Sequence, residues 1–421
     1  MSRSAEIPTG YKQTEVGVIP EDWVVAPLGA LTEPTRPISY GIVQTGQCVR
    51  NGVRCLRVLD IDDGRINKTN LVTTTKAISD AYKRTVLKAG DLVTPLRGKV
   101  GDVAMVDEDL AGSNLTRGVA LIAIQSDWSA SFCKQFIASP ATRSRLEQSM
   151  NGSALQEVPI ATFRAFKIAF PPSKAEQEAI AEALSDADAL IESLEQLLAK
   201  KRQIKQGVMQ ELLTGKRRLP GFSGEWEVKR LGKLGEFLKG KGVTRDQAQS
   251  GTLPCVRYGE IYTTHRDYIR AFQSWISAEV ASTATRLRSG DVLFAGSGET
   301  KEEIGKCVAF VGDRETYAGG DIVILRPRDI DPLFFGYAMN TPSVNRQKAS
   351  LGQGDAVVHI SAAALADVSL PVPEKPEQTA IAEVLSDMDA EIAALEAKLA
   401  KARRLKQGMM QELLTGRIRL V

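Results

Sequence analysis

Three patterns in this 421-residue chain carry residue types associated with catalysis. The run Gly235-Glu-Phe-Leu-Lys-Gly240-Lys241 has the spacing of a phosphate-wrapping loop. Gly242 stands where such a loop needs Ser or Thr to reach magnesium, and no buried strand is expected before it, so nucleotide binding is not assigned. Asp291, Glu299 and Lys301 imitate a metal-dependent nuclease, in which carboxylates hold the cation and a lysine assists. The matching stretch of the first half, Asp91…Arg97-Gly98-Lys99, lacks the second carboxylate. A self-contained nuclease using Asp291 and Glu299 therefore stands as an alternative, and it predicts magnesium-dependent cutting by the chain alone. The third pattern is sulfur and imidazole. Cys48, Cys55, Cys133, Cys255 and Cys307 are scattered without a C-x-x-C pair, and His265 and His359 complete no zinc spacing. Reduced, half-buried thiols are expected. An Asn-Pro-Pro-aromatic element for methylating a base amino group is missing, as is a Gly-rich dinucleotide fingerprint. No catalytic residue and no metal ligand is assigned.

The elements that would have to position any site come from length, charge and repetition. Charged residues make up 25% and the hydrophobic set 43%, the balance of a globular chain of two or more domains. No run approaches the roughly 18 apolar residues of a membrane span, and the polar start from Met1 to Thr14 lacks a signal-peptide core, so a cytoplasmic protein is expected. Net charge is only +3, and residues 1–172 carry 20 Lys/Arg against 17 Asp/Glu while the rest balances. A nucleic-acid surface would have to come from how charge is distributed, not from its sum.

Residues 177–219 recur without a gap as 378–420, with 29 of 43 positions identical, which is too close for chance and marks a duplicated element. Ile180, Leu184, Ala187, Ile191, Leu194 and Leu198 step by four and three, and so do Ile381, Leu385, Met388, Ile392, Leu395 and Leu399. That is the seam of a coiled coil. Ser173 with Glu176 suggests a capping box and Pro376 suits a first turn; Thr214-Gly215 and Thr415-Gly416 supply stops. Each helix begins acidic (Glu176 to Glu195, Glu377 to Glu396) and ends basic (Lys200 to Arg218, Lys398 to Arg419, apart from Glu211 and Glu412). Antiparallel packing sets acidic halves against basic ones, so an antiparallel pair with an approximate two-fold axis is expected. Pro20-Glu-Asp-Trp23 resembles Ser223-Gly-Glu-Trp226, and residues 1–20 are expected to pack near the end of the second helix. Gly90-Asp91 likewise echoes Gly290-Asp291.

The resulting architecture is α+β: a first globule over 1–172, a helix over 173–219, a second globule over 220–373 and a helix over 374–421. Strands are expected at Cys55–Leu59, Asp91–Thr94, Val119–Ile124 and Asp321–Leu325, with helices at Ala130–Ala138 and Pro332–Asn340. Tyr40-Gly-Ile-Val-Gln44, Gly90-Asp-Leu-Val and Arg97-Gly-Lys-Val-Gly101 resemble motifs of the first target-recognition domain of type I restriction-modification specificity subunits. Pro254-Cys-Val-Arg-Tyr-Gly-Glu-Ile-Tyr-Thr263 and Gly290-Asp-Val-Leu-Phe-Ala-Gly-Ser-Gly-Glu-Thr300 are similar to a second variety of that domain. Pro172…Glu176-Gln177 and Pro373…Glu377-Gln378 resemble the start of the family's repeated helices.

The resemblance implies that each globule reads one half of a split target in double-stranded DNA. It implies that the helices set the spacing and dock two methylation subunits, joined by restriction subunits. S-adenosylmethionine, ATP and magnesium would belong to those partners and no cofactor to this chain. Phosphate contacts position a protein and base contacts specify sequence. In the first globule Arg97 and Lys99 flank a glycine that permits close approach, and Asn114 and Arg117 have side chains suited to adenine and guanine edges. In the second, Ser297, Lys301, Tyr317, Gln353 and His359 occupy comparable glycine-rich loops. Leu197, Val208, Met209, Leu212, Met410 and Leu413 are offered to partner subunits or to simple core packing. The competing reading from another class is a coiled-coil scaffold whose globules bind protein.

Overall fold

The computed structural model describes residues 7–150, 156–354 and 357–420. Two helices of 39 residues each, Lys174–Leu212 and Lys375–Leu413, are its longest elements, about 58 Å apiece at 1.5 Å per residue. They end where the sequence places its stops: Gly215 and Gly416 take the left-handed conformation at φ 70° and 69°, which a glycine adopts without a steric penalty. The expected capping box is only half present. Ser173 Oγ receives a long contact of 3.5 Å from the Glu176 amide, but the Glu176 carboxylate turns to the Arg419 guanidinium instead. A bidentate ion pair outcompetes a single bond to a backbone N–H.

The chain forms two compact units, residues 1–194 with 398–421, and residues 195–397, each holding one globule and half of each long helix. In the first unit, Ile180 and Leu184 near the start of the first helix share a core with Met410, Leu413 and Leu414 at the end of the second. Lys406 pairs with Asp188 at 2.5 Å. In the second unit the helices exchange roles: Leu212 and Leu213 pack with Ile381 and Leu385. Lys201 pairs with Glu391, Lys205 with Asp389 and Arg218 with Glu377, at 2.6, 2.7 and 2.5 Å. In both units partner numbers rise along one helix as they fall along the other. The helices therefore run antiparallel, as their charge order requires. Leu194, Leu198, Ile392 and Leu399 are buried, while Ile191 and Leu395 are half-buried. Of the residues offered to partner subunits, Leu212, Met410 and Leu413 lie inside globule cores and Val208 and Met209 pack against one. Leu197 alone of the six stays exposed. The globules themselves cover the helix ends, which turns those apolar positions inward.

Both units repeat the same fastenings. Gln177 accepts from the Ser129 amide at 2.9 Å and donates to the Pro171 carbonyl at 2.9 Å; Gln378 does the same with the Asp331 amide and the Pro373 carbonyl, both at 2.8 Å. Trp23 lies edge-on to Phe132, and Trp226 edge-on to Phe334. Tyr11 donates to the Gly416 carbonyl at 3.1 Å and Asp22 binds Arg419 at 3.0 Å, so the described part of the N-terminal segment does pack at the end of the second helix. Residues 1–6 of that segment lie outside the described residues. The second unit adds a buried network. Asp389 accepts from Lys205 at 2.7 Å and Tyr337 at 2.6 Å, and Arg270 stands at 2.9 Å. Burial alone would raise the Asp389 pKa, but these partners outweigh it and hold the carboxyl below its ordinary value. At Asp267 burial wins over Lys205, and the pKa is raised.

The first globule has a sheet in the strand order Ala104–Met105, Leu92–Pro95, Val119–Ile122, Ser39–Tyr40, all antiparallel. The second repeats it from the other edge as Gly235–Lys239, Ile322–Pro327, Val292–Ala295, Cys307–Ala309. A smaller sheet in each contains one parallel pair, Asn114–Leu115 with Val53–Leu56 and Tyr317–Ala318 with Leu253–Val256. The expected strand at Cys55–Leu59 stops at Leu56. Arg57 opens a turn closed by Asp60, whose carboxylate takes the Arg57 amide at 2.8 Å and its guanidinium at 2.8 and 2.9 Å. Helix Pro332–Ala338 is two residues shorter than expected. The Gly90-Asp91 and Gly290-Asp291 echo has a physical cause. Each aspartate accepts an amide three residues back, from Lys88 and Arg288, and is clamped by a guanidinium, from Arg36 and Arg326. Four cysteines are buried and Cys48 is exposed; burial pushes the Cys133, Cys255 and Cys307 thiols up to about 12. Among the described residues, no helix is long and apolar enough to cross a membrane.

Candidate nucleic-acid interface

The catalytic look-alikes dissolve in the geometry. Gly235–Lys239 is a strand, not a loop, and the Gly240 amide donates to the Ile322 carbonyl at 2.8 Å. Alternate backbone N–H groups of this edge strand bond to Ile322–Pro327, and an extended strand does not wrap a phosphate. Gly240 is needed for another reason: a Cβ there would collide with the Gly319 carbonyl oxygen, as one at Gly41 would with that of Leu115. Asp291 is 1% exposed and both carboxylate oxygens are taken by Arg326, at 2.8 Å each. It has no free face for a metal ion, while Glu299 stands apart at the surface.

In the first globule the strand Leu92–Pro95 runs out into Arg97, which forms an isolated antiparallel bridge with Glu157. The Leu96 amide donates to the Gly118 carbonyl at 2.9 Å, and the Val158 amide to the Leu96 carbonyl at 2.8 Å. The Arg97 guanidinium lies beside Gly118, where a Cβ would meet Val58 Cγ2 first, at 2.7 Å, and Arg97 Nε at 3.3 Å. Arg117, next along, is exposed. Among the described residues neither Arg97 nor Arg117 has a side-chain hydrogen bond or ion pair, so both guanidinium groups are free to meet phosphate or a base edge. Lys99 is engaged, with Asp62 at 2.6 Å, in an exposed pair that costs little to exchange. Asn114 corrects the expectation placed on it. It is fully buried; its amide donates to Ser79 Oγ at 3.0 Å, and its oxygen accepts from Thr85 Oγ1 and the Leu115 amide at 2.8 Å. It ties its strand to the helical turns over residues 76–85 and has no polar atom left to read adenine.

In the second globule three of the five expected residues come together. Ser297–Gly298 pairs with Val358–His359, and His359 exchanges both backbone hydrogen bonds with Gln353, at 2.9 and 2.7 Å. Ser297, His359 and Gln353 thus stand in a row. Ser297 Oγ is hydrogen-bonded to His359 Nδ1 at 2.9 Å, and Tyr262 donates to the Ser297 carbonyl at 3.0 Å. Ser297 is nearly buried, whereas His359 and Gln353 are exposed. A cleft of about 390 Å³ opens beside Ser297 and His359, and Lys239 lines it. Lys239 and Lys241 are exposed and, among the described residues, unpaired; sequence reasoning passed over both because Lys241 resembled the lysine of a phosphate loop. Lys301 is exposed on a separate turn. Tyr317 takes the strand place that Asn114 has in the first globule, but it is only half-buried, and its hydroxyl donates to Glu315 at 2.9 Å in an exposed bond.

Two globules thus share one strand plan, and each displays unpaired cations or hydrogen-bonding side chains beyond the same strand end, the layout of a duplicated α+β domain. The chain belongs to the family described as the type I restriction modification DNA specificity domain, which matches residues 57–205 and 223–404. It is 26% identical over 202 residues to the type I restriction enzyme EcoBI specificity subunit of Escherichia coli, across 47% of this chain and 42% of that one. The match therefore spans less than half the length of that relative. The type I restriction enzyme MjaVIII specificity subunit of Methanocaldococcus jannaschii is 24% identical over 297 residues, 65% of this chain and 67% of that one. The crystal structure of a type I restriction-modification system S subunit from M. genitalium shares the fold, with a TM-score of 0.61 over 98% of this chain and 99% of that one, at 14% identity.

Proposed function

We propose that this chain is the DNA-specificity subunit of a type I restriction-modification complex and catalyses nothing itself. Each globule reads one half of a bipartite duplex target, and the antiparallel helices set the spacing between the halves. Two methylation subunits dock on the chain, with restriction subunits added for cutting, all in the cytoplasm. S-adenosylmethionine, ATP and magnesium work on those partners. The observation that carries the reading is the pair of globules with one scaffold and different exposed side chains, held by near-identical helices within a family of DNA-specificity domains. A protein that read one element twice would keep its exposed residues alike.

The test is the complex of this chain with the methylation subunits of its own system. Duplex DNA should bind it with an affinity that falls steeply as salt rises, because phosphate contacts release counterions. Adenine methylation should require this chain. A well-folded complex that neither binds nor methylates duplex DNA would overturn the proposal in favour of a protein-binding scaffold.

A further inference from the structure

We infer that positions 97 and 157 in the first globule and 297 and 359 in the second are one and the same base-reading position, built twice on an identical scaffold and given different side chains. The inference rests on the proposed DNA-specificity role and adds to it the residues that set the specificity. Its ground is a backbone correspondence that sequence alignment does not give, because the offset between the globules drifts.

The correspondence is fixed by hydrogen bonds. The Leu96 amide binds the Gly118 carbonyl, and the Gly296 amide binds the Asp321 carbonyl, at 2.9 and 2.8 Å. The Val158 amide binds the Leu96 carbonyl, and the Ile360 amide binds the Gly296 carbonyl, at 2.8 and 3.0 Å. Leu96 therefore equals Gly296, and Val158 equals Ile360. The next residues outward, Arg97 with Glu157 and Ser297 with His359, are the antiparallel pairs. Each pair is followed by a short helix, Ile160–Ala165 or Ala362–Ala366, and then by the strand that closes the globule, Lys167–Phe170 or Ser369–Val372. Inward of the pairs the two globules are alike. At the pairs themselves they differ completely.

Residues directly opposite in an antiparallel pair project to the same side, so each pair presents two side chains together. The first offers a guanidinium and a carboxylate. Among the described residues these form no ion pair with each other, nor does Arg97 with any other group. A guanidinium suits the paired acceptors of guanine, and a carboxylate suits the amino group of cytosine. The second offers a hydroxyl and an imidazole joined at 2.9 Å, a pair without a carboxylate or a guanidinium. Such a scaffold with exchangeable tips is what two unlike half-sites demand. A purely structural role predicts the reverse: conserved pairs on a varied frame.

The experiment takes the same complex and measures binding to its own selected duplex and to every single-base variant of it. Arg97→Lys keeps the charge but loses the fork of donors. It should weaken discrimination at one base pair of one half-site by about tenfold to a hundredfold, leaving the other half-site unchanged. Glu157→Gln should act on the same half-site. Ser297→Ala and His359→Asn should act only on the opposite one. If Arg97→Lys weakens all sequences alike, Arg97 is a phosphate contact and the inference fails while the DNA-specificity role stands. The inference fails in the same way if all four variants fold, bind and keep the wild-type preference. If the wild-type complex itself selects no duplex, both the role and the inference fall.

Discussion

Asp389 shows how one side chain ties a globule to both long helices. It sits on the second helix and meets Lys205 of the first, Tyr337 of a globule helix and Arg270 of a globule loop. Its pKa is depressed in the folded chain, so its contribution to stability is complete above the unfolded value of 3.8 and is lost as the pH falls through the lower folded one. Asp389→Asn leaves the largely buried Lys205 with only Asp267, at 3.5 Å, while the exposed Arg270 can turn to water; the loss at Lys205 should cost about 3 kcal/mol at neutral pH. Urea melts should show the gap to wild type closing towards acid pH; a pH-independent gap would mean that packing, not charge, is the source. At this scale the sequence was readable in part. Arg97 and Arg117 carry no side-chain partner among the described residues, whereas Asn114, close to Arg117 in sequence, is buried rather than at the surface. Its neighbours Gly112 and Ser113 have turn composition, and nothing local announces a parallel pairing with Cys55, 59 positions away.

Among the elements, the long helices carry the most local information, and their period, stops and charge order could all be read directly. What the period could not tell is which seam and flank positions the globules would cover, because that depends on chain far away in sequence; Met410 and Leu413 are the examples. The strands were harder, since most have two to four residues and their partners are distant. The repeated Gln177 and Gln378 illustrate a motif recognisable by repetition whose reason appears only in three dimensions. Each buried amide bridges a globule amide and the carbonyl just before its helix. Replacing either by Ala strands two backbone groups and should cost about 1 to 3 kcal/mol in thermal or urea unfolding. The two losses should be similar because the bonds are the same; a negligible loss at one would show that its bridge is not needed there.

For the whole molecule the central feature is that each compact unit owns a core built from its globule and from both helices. Leu184→Ala removes a fully buried side chain from the first of these and should cost about 2 to 5 kcal/mol there. Hydrogen exchange should then quicken in the strands Leu92–Pro95 and Val119–Ile122 and leave Ile322–Pro327 near its wild-type rate. Equal loss of protection in both units would show that they unfold as one. Two units with separate cores can carry different reading surfaces without disturbing each other, and that independence is what a two-part target needs. The most direct test of a two-headed reader is selection from a pool of random duplex DNA by this chain assembled with the methylation subunits of its system. Two short preferred blocks separated by a fixed stretch of unread base pairs are the predicted result; one continuous motif, or no enrichment by a folded complex, would contradict it.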